Sequence, residues 1–218
     1  MQFVYYENPT SYITLKGELH KYLFKVRRAK KDEIINIRNL KDDYLYQYEI
    51  IEINKKEATL KLKEKILKPN KPQKFFHLGW CMIDPKNIEK TLPTLNEIGV
   101  SKISFVYCDF SQKNFKLNLE RIKKILINSS QQCGRSDIIE IEILNSTDEF
   151  KKKYPNFIAV DFNGKEIECK EYKKPFLIGP EGGFSKKERE MFDQKVRLKG
   201  FILRSESAAC AIASKILL

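Results

Sequence analysis

The protein has 218 residues, of which 42% are hydrophobic and 32% charged, so it can bury a core and is neither disordered nor collagen-like by composition. No stretch approaches the roughly 20 consecutive apolar residues of a membrane span, and the N-terminus lacks the layout of a secretion signal, so we expect a cytosolic protein. The formal net charge of +12 favours a polyanionic partner such as nucleic acid, although lysine-rich surfaces also occur on proteins that bind none.

The first 70 residues are predicted to form a small antiparallel sheet or barrel. Runs rich in β-branched and aromatic residues predict strands over residues 34–38, 44–53 and 58–66. The spacing of apolar residues also predicts a helix over residues 18–28, whose other side carries Lys21, Lys25 and Arg28. That basic side is either an RNA contact or a solvated face.

A linker is predicted at residues 68–74, where two prolines and three lysines separate apolar runs. It divides the chain into a small N-terminal domain, residues 1–70, and a larger domain, residues 71–218. Residues 1–74 hold 17 basic and 10 acidic side chains, while residues 75–218 hold 24 and 19. The shorter part is therefore the more basic.

Strands and helices alternate in the larger domain. Apolar runs predict strands over residues 75–83, 102–108, 138–144, 156–162, 175–179 and 197–204. Helical periodicity predicts helices over residues 85–99, 117–133 and 207–218, with a short helix starting at Ser185. This alternation is typical of a mostly parallel α/β sheet with helices on both faces.

A glycine-rich loop, IGPEGGFS, occupies residues 178–185 after a buried-type strand. Gly179, Gly182 and Gly183 lack Cβ atoms, so the backbone here can approach a ligand closely. Residues 185–188 have the spacing of a capping box, which starts a helix just beyond the loop. The loop is either a ligand site at the C-terminal end of the sheet or a plain strand-to-helix turn. It is neither a dinucleotide fingerprint nor a P-loop.

A second polar cluster, residues 204–207, stands between a predicted strand and the last helix. Ser205 fits the N-cap of this helix, and Glu206 fits its first turn. The charge of Arg204 is unfavourable at a helix N-terminus, so it indicates an anionic partner or a nearby carboxylate.

The sequence predicts no metal site and no disulfide framework. Its five cysteines are odd in number and widely spaced, and we expect them to be small core residues: Cys81, Cys108, Cys133, Cys169 and Cys210. His20 and His77 are the only histidines, and their wide separation argues against a histidine metal site or a His-based triad.

Four motifs together resemble the RsmE family of ribosomal RNA methyltransferases, and they occur in the family's order. They are Lys90 with residues 96–100 (NEIGV), residues 130–135 (SQQCGR), the glycine-rich loop with Glu188, and residues 202–208 (ILRSESA). With the N-terminal strands and the helix from His20 to Arg27, the resemblance spans essentially the whole chain.

The resemblance implies a SPOUT-class methyltransferase with a knotted, mostly parallel α/β sheet and a small PUA-like N-terminal barrel. Such proteins are homodimers that bind S-adenosylmethionine in a deep trefoil knot near the subunit interface. The family methylates N3 of one uridine in 16S ribosomal RNA, within the assembled 30S subunit. The basic N-terminal domain would then dock RNA.

The resemblance also implies site residues. The cofactor site is expected at Ile178, Gly179, Pro180, Gly182, Gly183, Leu198, Leu203, Ser205 and Ala208. The loop after residues 159–162 would form a third wall, although Asp161 is equally well explained as a strand-end residue. RNA contacts are expected at Arg27, Arg28, Gln132 and Arg135. We expect the last helix to be buried, against the cofactor loops or a partner subunit, through Ala208, Ala209, Ala211, Ile212 and Ile216.

Catalysis is assigned to Glu181 and Arg204. The sulfonium makes the methyl group electrophilic, so the reaction needs an in-line approach and a uridine N3 without its proton. Glu181 is the carboxylate nearest the glycine-rich loop and is either the base or a support for the loop. Arg204 or Arg135 would stabilise the charge on the flanking carbonyl oxygens.

Four positions around Arg204 depart from the family's pattern. Lys199 and Phe201 stand where the family usually has glycine and arginine, while Ser205 and Ser207 replace threonines and keep their hydroxyls. Because fold alone does not fix a substrate, two alternatives stay open. These are a non-catalytic RNA-binding or ribosome-assembly protein, and a SPOUT methyltransferase that acts on transfer RNA.

Overall fold

The computed structural model describes residues 2–168 and 173–218, so Cys169 lies outside the described residues. The chain divides into two compact units, residues 1–71 with 130–137 and residues 72–129 with 138–218. Each unit has a hydrophobic core of its own. Within the described ranges, no helix is both long enough and apolar enough to cross a membrane.

The N-terminal unit contains a five-stranded sheet in the order β1-β3-β4-β5-β2. Its strands are β1 (Val4–Tyr5), β2 (Tyr12–Lys16), β3 (Ile34–Arg38), β4 (Tyr44–Ile53) and β5 (Glu57–Leu67). β1 pairs in parallel with β3, and the other neighbours are antiparallel. Alternate residues of β4 are buried, including Tyr48 and Ile50, as expected for strands with one face on a core. The three strands predicted here are confirmed to within one residue at each end.

Helix α1 (Gly17–His20) continues as a π-helical turn, Lys21–Val26. Leu23 is buried in the core of the unit, whereas Lys21, Lys25 and Arg28 are exposed, as the periodicity predicts. The helix ends two residues before the predicted end because Arg28 has a φ of 57°, in the left-handed region.

The C-terminal unit contains a six-stranded sheet in the order β11-β9-β10-β6-β7-β8, with parallel pairing throughout. Its strands are β6 (His77–Cys81), β7 (Lys102–Val106), β8 (Glu140–Leu144), β9 (Ile158–Glu166), β10 (Phe176–Ile178) and β11 (Lys195–Arg197). Its helices are α2 (Pro85–Ile98), α3 (Leu119–Cys133), α4 (Thr147–Lys153), α5 (Lys186–Glu190) and α6 (Ser205–Leu217). The predicted alternation of strands and helices is confirmed, and α4 is an additional short helix.

Side chains cover both faces of this sheet. Phe176 and Ile178 of β10 pack in a cluster with apolar residues of α2, α3 and α6. Leu177, between them, packs in a second cluster with Phe150 of α4 and with Phe184. Since successive residues of a strand point to opposite faces, both faces of β10 are buried, which explains its continuous apolar sequence.

The strand predicted over residues 197–204 is wrong. β11 ends at Arg197, and residues 198–204 form an irregular segment before α6. Gly200 has a φ of 107°, which interrupts an extended strand and favours glycine. The apolar side chains that suggested a strand are instead solvent-exposed, at 97% for Phe201 and 80% for Ile202.

The cysteines differ in environment. Cys81 and Cys108 are buried, as predicted, but Cys133 is exposed and Cys210 is half-buried, so the expectation of a core residue is wrong for Cys133. All four described cysteines are free thiols. Within the described part of the chain, no three His, Cys, Asp or Glu side chains cluster as metal ligands.

Candidate functional site

A cavity of about 270 Å³ lies at the C-terminal end of the parallel sheet. Its walls are the middle of β9, the glycine-rich loop after β10, and the irregular segment before α6. A cavity of about 530 Å³ lies beside β9 and β11, but the glycine-rich loop does not line it. Because ligands of open α/β sheets bind outside the carboxyl ends of the strands, the first cavity is the candidate site.

Eight of the nine predicted cofactor residues line this cavity. They are Ile178, Gly179, Pro180, Gly183, Leu198, Leu203, Ser205 and Ala208. Gly182 is not among them, and a Cβ atom at that position would lie 3.4 Å from Phe110. The residues expected from the resemblance therefore lie at one cavity, and their cofactor role stays a prediction.

Two positions of the glycine-rich loop disfavour residues with a Cβ atom. A Cβ atom on Gly179 would lie 3.2 Å from the Phe184 ring and 3.3 Å from the backbone of Gly183. Gly183 has a φ of 70°, a conformation that strains residues with a Cβ atom. These glycines keep open a cradle of bare backbone at the cavity.

Glu188 fixes the shape of the loop from its outer side. The predicted capping box is confirmed: Glu188 Oε2 accepts a hydrogen bond from Ser185 N at 2.9 Å, and Ser185 Oγ accepts one from Glu188 N at 3.2 Å. The other carboxylate oxygen accepts hydrogen bonds from Asp109 N at 3.1 Å and Thr147 Oγ1 at 2.5 Å. This buried carboxylate ties the loop to the segment after β7 and to α4.

The predicted N-cap role of Ser205 is wrong. Arg204 is the N-cap residue, without a side-chain capping bond, and Ser205 is the first residue of α6. The buried Ser205 hydroxyl donates to the carbonyl oxygen of Gly179 at 2.7 Å and accepts from Trp80 Nε1 at 2.9 Å. Ser205 therefore joins α6 to both the glycine-rich loop and β6. The last helix is buried as predicted at Ala208, Ala209, Ile212 and Ile216, whereas Ala211 is half-buried.

The two predicted catalytic residues lie in different positions. Glu181 is exposed and lines the cavity, so a substrate at the cavity mouth can reach its carboxylate. Arg204 is exposed just before α6 and does not line the cavity.

The predicted RNA-contacting residues are not equally accessible. Arg27, Arg28 and Gln132 are exposed. Arg135 is only 4% exposed, and its Nε donates to Asp137 Oδ1 at 2.5 Å. A buried guanidinium paired with a nearby carboxylate supports its own segment, so this placement gives no support to the predicted RNA contact of Arg135.

An ion pair that no sequence motif indicates also lines the cavity. Nε of Arg189, on α5, donates to Asp161 Oδ2, on β9, at 2.7 Å, and both residues line the cavity. The third wall was predicted to be a loop after residues 159–162, but β9 continues to Glu166, and Val160–Phe162 of the strand itself line the cavity. Arg189 carried no sequence signal. The two residues are 28 positions apart on different elements, so no local spacing pattern could link them.

Comparison with protein families identifies the class to which this fold and cavity belong. Residues 69–217 match the model of an RNA methyltransferase domain. Residues 15–63 match that of an RNA methyltransferase PUA domain. The parallel sheet and its glycine-rich loop therefore form an RNA methyltransferase domain, and the N-terminal sheet belongs to a PUA domain.

The chain belongs to the ribosomal RNA small subunit methyltransferase E family, which confirms the resemblance to RsmE. It is 43% identical to the Helicobacter pylori protein of that name, over 98% of this chain and 98% of the relative. It is 30% identical to the protein of that name in Buchnera aphidicola subsp. Schizaphis graminum, over 91% of this chain and 87% of the relative.

Two solved structures share the fold. A methyltransferase structure from Legionella pneumophila, in complex with bound S-adenosylmethionine, has a TM-score of 0.82 and 21% identity, covering 99% of this chain and 96% of that one. The ribosomal RNA small subunit methyltransferase E of Neisseria gonorrhoeae, bound to S-adenosyl methionine, has a TM-score of 0.79 and 21% identity, covering 98% and 95%. The predicted SPOUT-type α/β fold with a PUA-like N-terminal domain is thereby confirmed.

Proposed function

We propose that the protein is an S-adenosylmethionine-dependent methyltransferase that methylates N3 of one uridine in 16S ribosomal RNA, within the 30S subunit. The observation that carries this proposal is the glycine-lined cavity, in a chain that matches the Helicobacter pylori ribosomal RNA small subunit methyltransferase E over nearly its whole length. The choice of uridine N3 rests on the resemblance to the RsmE family.

The residues at the cavity fit the cofactor. The backbone of residues 179–183 and 198–203 would hold its adenosine and methionine parts, with Ser205 and Ala208 closing the pocket. A Cβ atom on Gly179 would crowd the Phe184 ring and the Gly183 backbone, so a larger residue there would have to displace the wall of the cradle. When bound, the cofactor supplies an electrophilic methyl group on its sulfonium.

We assign the proton transfer to Glu181. Its exposed carboxylate at the cavity would take the proton from uracil N3, leaving a nucleophilic nitrogen and negative charge on the flanking carbonyl oxygens. The guanidinium of Arg204, which lies next to the lining residues Leu203 and Ser205, would donate hydrogen bonds to one of those oxygens. The cavity would further contribute by orienting the uracil so that N3 approaches the methyl group in line with the bond that breaks.

The Glu181→Gln variant tests this assignment. We expect turnover to fall by about 10²- to 10⁴-fold, the usual contribution of a general base, while cofactor affinity is unchanged. Glu190→Gln, which removes an exposed carboxylate from α5, is the matched control and should retain turnover. Full turnover by Glu181→Gln, with normal cofactor binding, would show that Glu181 only supports the loop.

Three further features complete the proposal: a trefoil knot in the C-terminal unit, a homodimer, and action in the cytoplasm, where the ribosomal substrate lies. The order of the sheet supports a threaded path, since the chain goes from β10 to the outer strand β11 and returns in α6 to pack on β6 and β10. The exposed side chains of Phe201 and Ile202 support a subunit interface beside the cavity. We also propose that the boundary between the PUA-like RNA-binding domain and the methyltransferase domain lies between residues 70 and 71.

The decisive experiment is methyl transfer from labelled S-adenosylmethionine to 30S subunits, naked 16S RNA and transfer RNA in parallel, with the product nucleoside identified. We expect N3-methyluridine on the 30S subunit alone. Label on transfer RNA would mean that the protein is a methyltransferase with transfer RNA as its substrate. Absence of label, together with absence of cofactor binding, would favour a non-catalytic RNA-binding or ribosome-assembly protein.

A further inference from the structure

A buried carboxylate holds the Arg189 side chain against the candidate site. The Asp161 side chain is 2% exposed, and its Oδ2 accepts the hydrogen bond from Arg189 Nε. Its Oδ1 accepts a hydrogen bond from Asn163 N at 3.0 Å. A carboxylate fixed in this way restrains the planar guanidinium in one orientation.

The rest of the guanidinium lies along the glycine-rich loop. Because the bond to Asp161 uses Nε, the two Nη nitrogens of Arg189 are left as donors. Nη2 lies 3.3 Å from the point that a Cβ atom on Gly183 would occupy, so the group passes close to the bare backbone of the cradle. The Arg189 side chain is 35% exposed and lines the cavity, so a ligand that enters can reach it.

The chemistry of the ligand decides what this guanidinium can bind. S-adenosylmethionine carries two cationic groups, the sulfonium and the α-ammonium, and one anionic group, the α-carboxylate. An arginine has five donors and no acceptor, and its fork matches a carboxylate. Arg197 also lines the cavity, but it is exposed, and no ion pair among the described residues orients it.

We propose, on the basis of the proposed cofactor, that Arg189 is a further cofactor-binding residue, whose Nη nitrogens bind the methionine carboxylate while Asp161 positions the guanidinium. The ion pair thereby fixes the methionine end of the cofactor between β9 and the glycine-rich loop.

The test compares two ligands that differ in this one group, S-adenosylmethionine and its decarboxylated form. Both are titrated by calorimetry into the full-length wild type, Arg189→Met and Lys186→Met. We expect the wild type to prefer S-adenosylmethionine by about tenfold or more, as hydrogen bonds to a charged group allow. Arg189→Met should lose that preference and bind the decarboxylated ligand within about twofold of wild type. Lys186→Met removes an exposed cation from the same helix and should keep the preference.

Several outcomes would overturn the proposal. An equal loss of affinity for both ligands in Arg189→Met would make the ion pair a support for the cavity wall. An unchanged preference, or a preference abolished by Arg197→Met instead, would also contradict it. If thermal denaturation shows that Arg189→Met is not folded, Arg189→Lys is used instead, because lysine keeps the charge without the fork. Arg189→Lys should lose most of the preference for S-adenosylmethionine. Full retention of that preference would refute the proposal. A wild type that binds neither ligand would overturn the proposed function itself, and this inference with it.

Discussion

Ser205 joins three parts of the candidate site. Its hydroxyl connects α6 to the carbonyl of Gly179 and to the indole of Trp80, and all three groups are buried. Such a hydroxyl both donates and accepts, so its removal leaves one buried donor and one buried acceptor without their partner. The sequence placed Ser205 at the pocket but gave it a capping role that the structure assigns to Arg204.

We predict that Ser205→Ala lowers the free energy of unfolding by about 1–3 kcal/mol, the cost of unsatisfied buried polar groups. Affinity for S-adenosylmethionine should fall as well, because the glycine-rich loop loses its attachment to α6. Urea unfolding measures the first effect and calorimetry the second. Ser207→Ala is the matched control: Ser207 is exposed on the same helix, so its replacement should change stability by less than about 0.5 kcal/mol. Equal stability of the two variants would contradict the role given to Ser205.

At the scale of elements, a polar network joins β6, β7, β8 and α4. Ser104 donates to Glu142 Oε2 at 2.7 Å, so His77 Nε2, 2.8 Å from Ser104 Oγ, is the donor in that contact. Burial, assisted by the charge of Lys102, lowers the pKa of His77 to about 4. Although burial opposes it, hydrogen bonds led by that of Lys153 hold the pKa of Glu142 at about 2.

These pKa values predict acid sensitivity of the C-terminal unit. The ordinary pKa of histidine is 6.5, so the unfolded chain takes up a proton at this site before the folded one does as the pH falls. Stability is therefore full above 6.5 and declines as the pH falls towards about 4. The loss at Glu142 follows between 4.5 and about 2, since its carboxylate is deprotonated in the folded state.

Urea unfolding at a series of pH values measures this dependence. We expect His77→Gln to flatten the curve of stability against pH between 6.5 and about 4 and to leave the decline caused by Glu142, between 4.5 and about 2, in place. A glutamine retains a side-chain donor toward Ser104, so the comparison isolates the titration of the imidazole. A His77→Gln curve parallel to that of the wild type would refute the assignment.

At the scale of the whole molecule, the positive charge of the N-terminal unit predicts that this unit contributes to binding of the proposed RNA substrate. Arg27 and Arg28 are exposed and adjacent. Replacement of both by alanine should weaken binding to 30S subunits and lower the slope of log affinity against log salt by about 0.7–0.9 per lost phosphate contact. Filter binding at several salt concentrations measures both quantities. Lys123→Ala with Lys124→Ala removes two adjacent exposed cations from α3 and serves as the control. A slope reduced equally by both double variants would indicate nonspecific charge attraction.

The exposed apolar side chains of residues 198–204 predict self-association. Phe201 is 97% exposed beside the cavity, which a second subunit would cover. We expect sedimentation to give a dimer for the wild type and a lower average mass for Phe201→Ser. Val26→Ser, which removes an exposed apolar side chain from the N-terminal unit, should leave the mass unchanged. A monomeric wild type, or a fully dimeric Phe201→Ser, would refute the interface.

Much of the fold was predictable because the deciding signals are local. The period of two at residues 34–38 and 44–53, and the continuous apolar run of β10, each reflect how many faces of a strand are buried. The prediction failed at residues 198–204, where the apolar run looks like a strand. There a left-handed glycine and the absence of a neighbouring strand beyond Arg197, in the described part of the chain, leave the side chains exposed.

The sequence by itself determined the excess of basic residues, which is a matter of composition. It also determined the alternation of elements and the glycine-rich loop with its capping box, because each of these depends on residues within a few positions of one another. Only the tertiary structure decided that Arg189 lies against Asp161, that Ser205 bonds to Gly179 and Trp80, and that Arg135 is buried. These contacts arise where β6, β9 and β10 lie side by side in an order that differs from the order of the sequence, or where a charge is withdrawn from solvent. Parallel pairing brings the ends of distant strands to one edge, so the chemistry of the site is settled by strand order and burial, which no local pattern specifies.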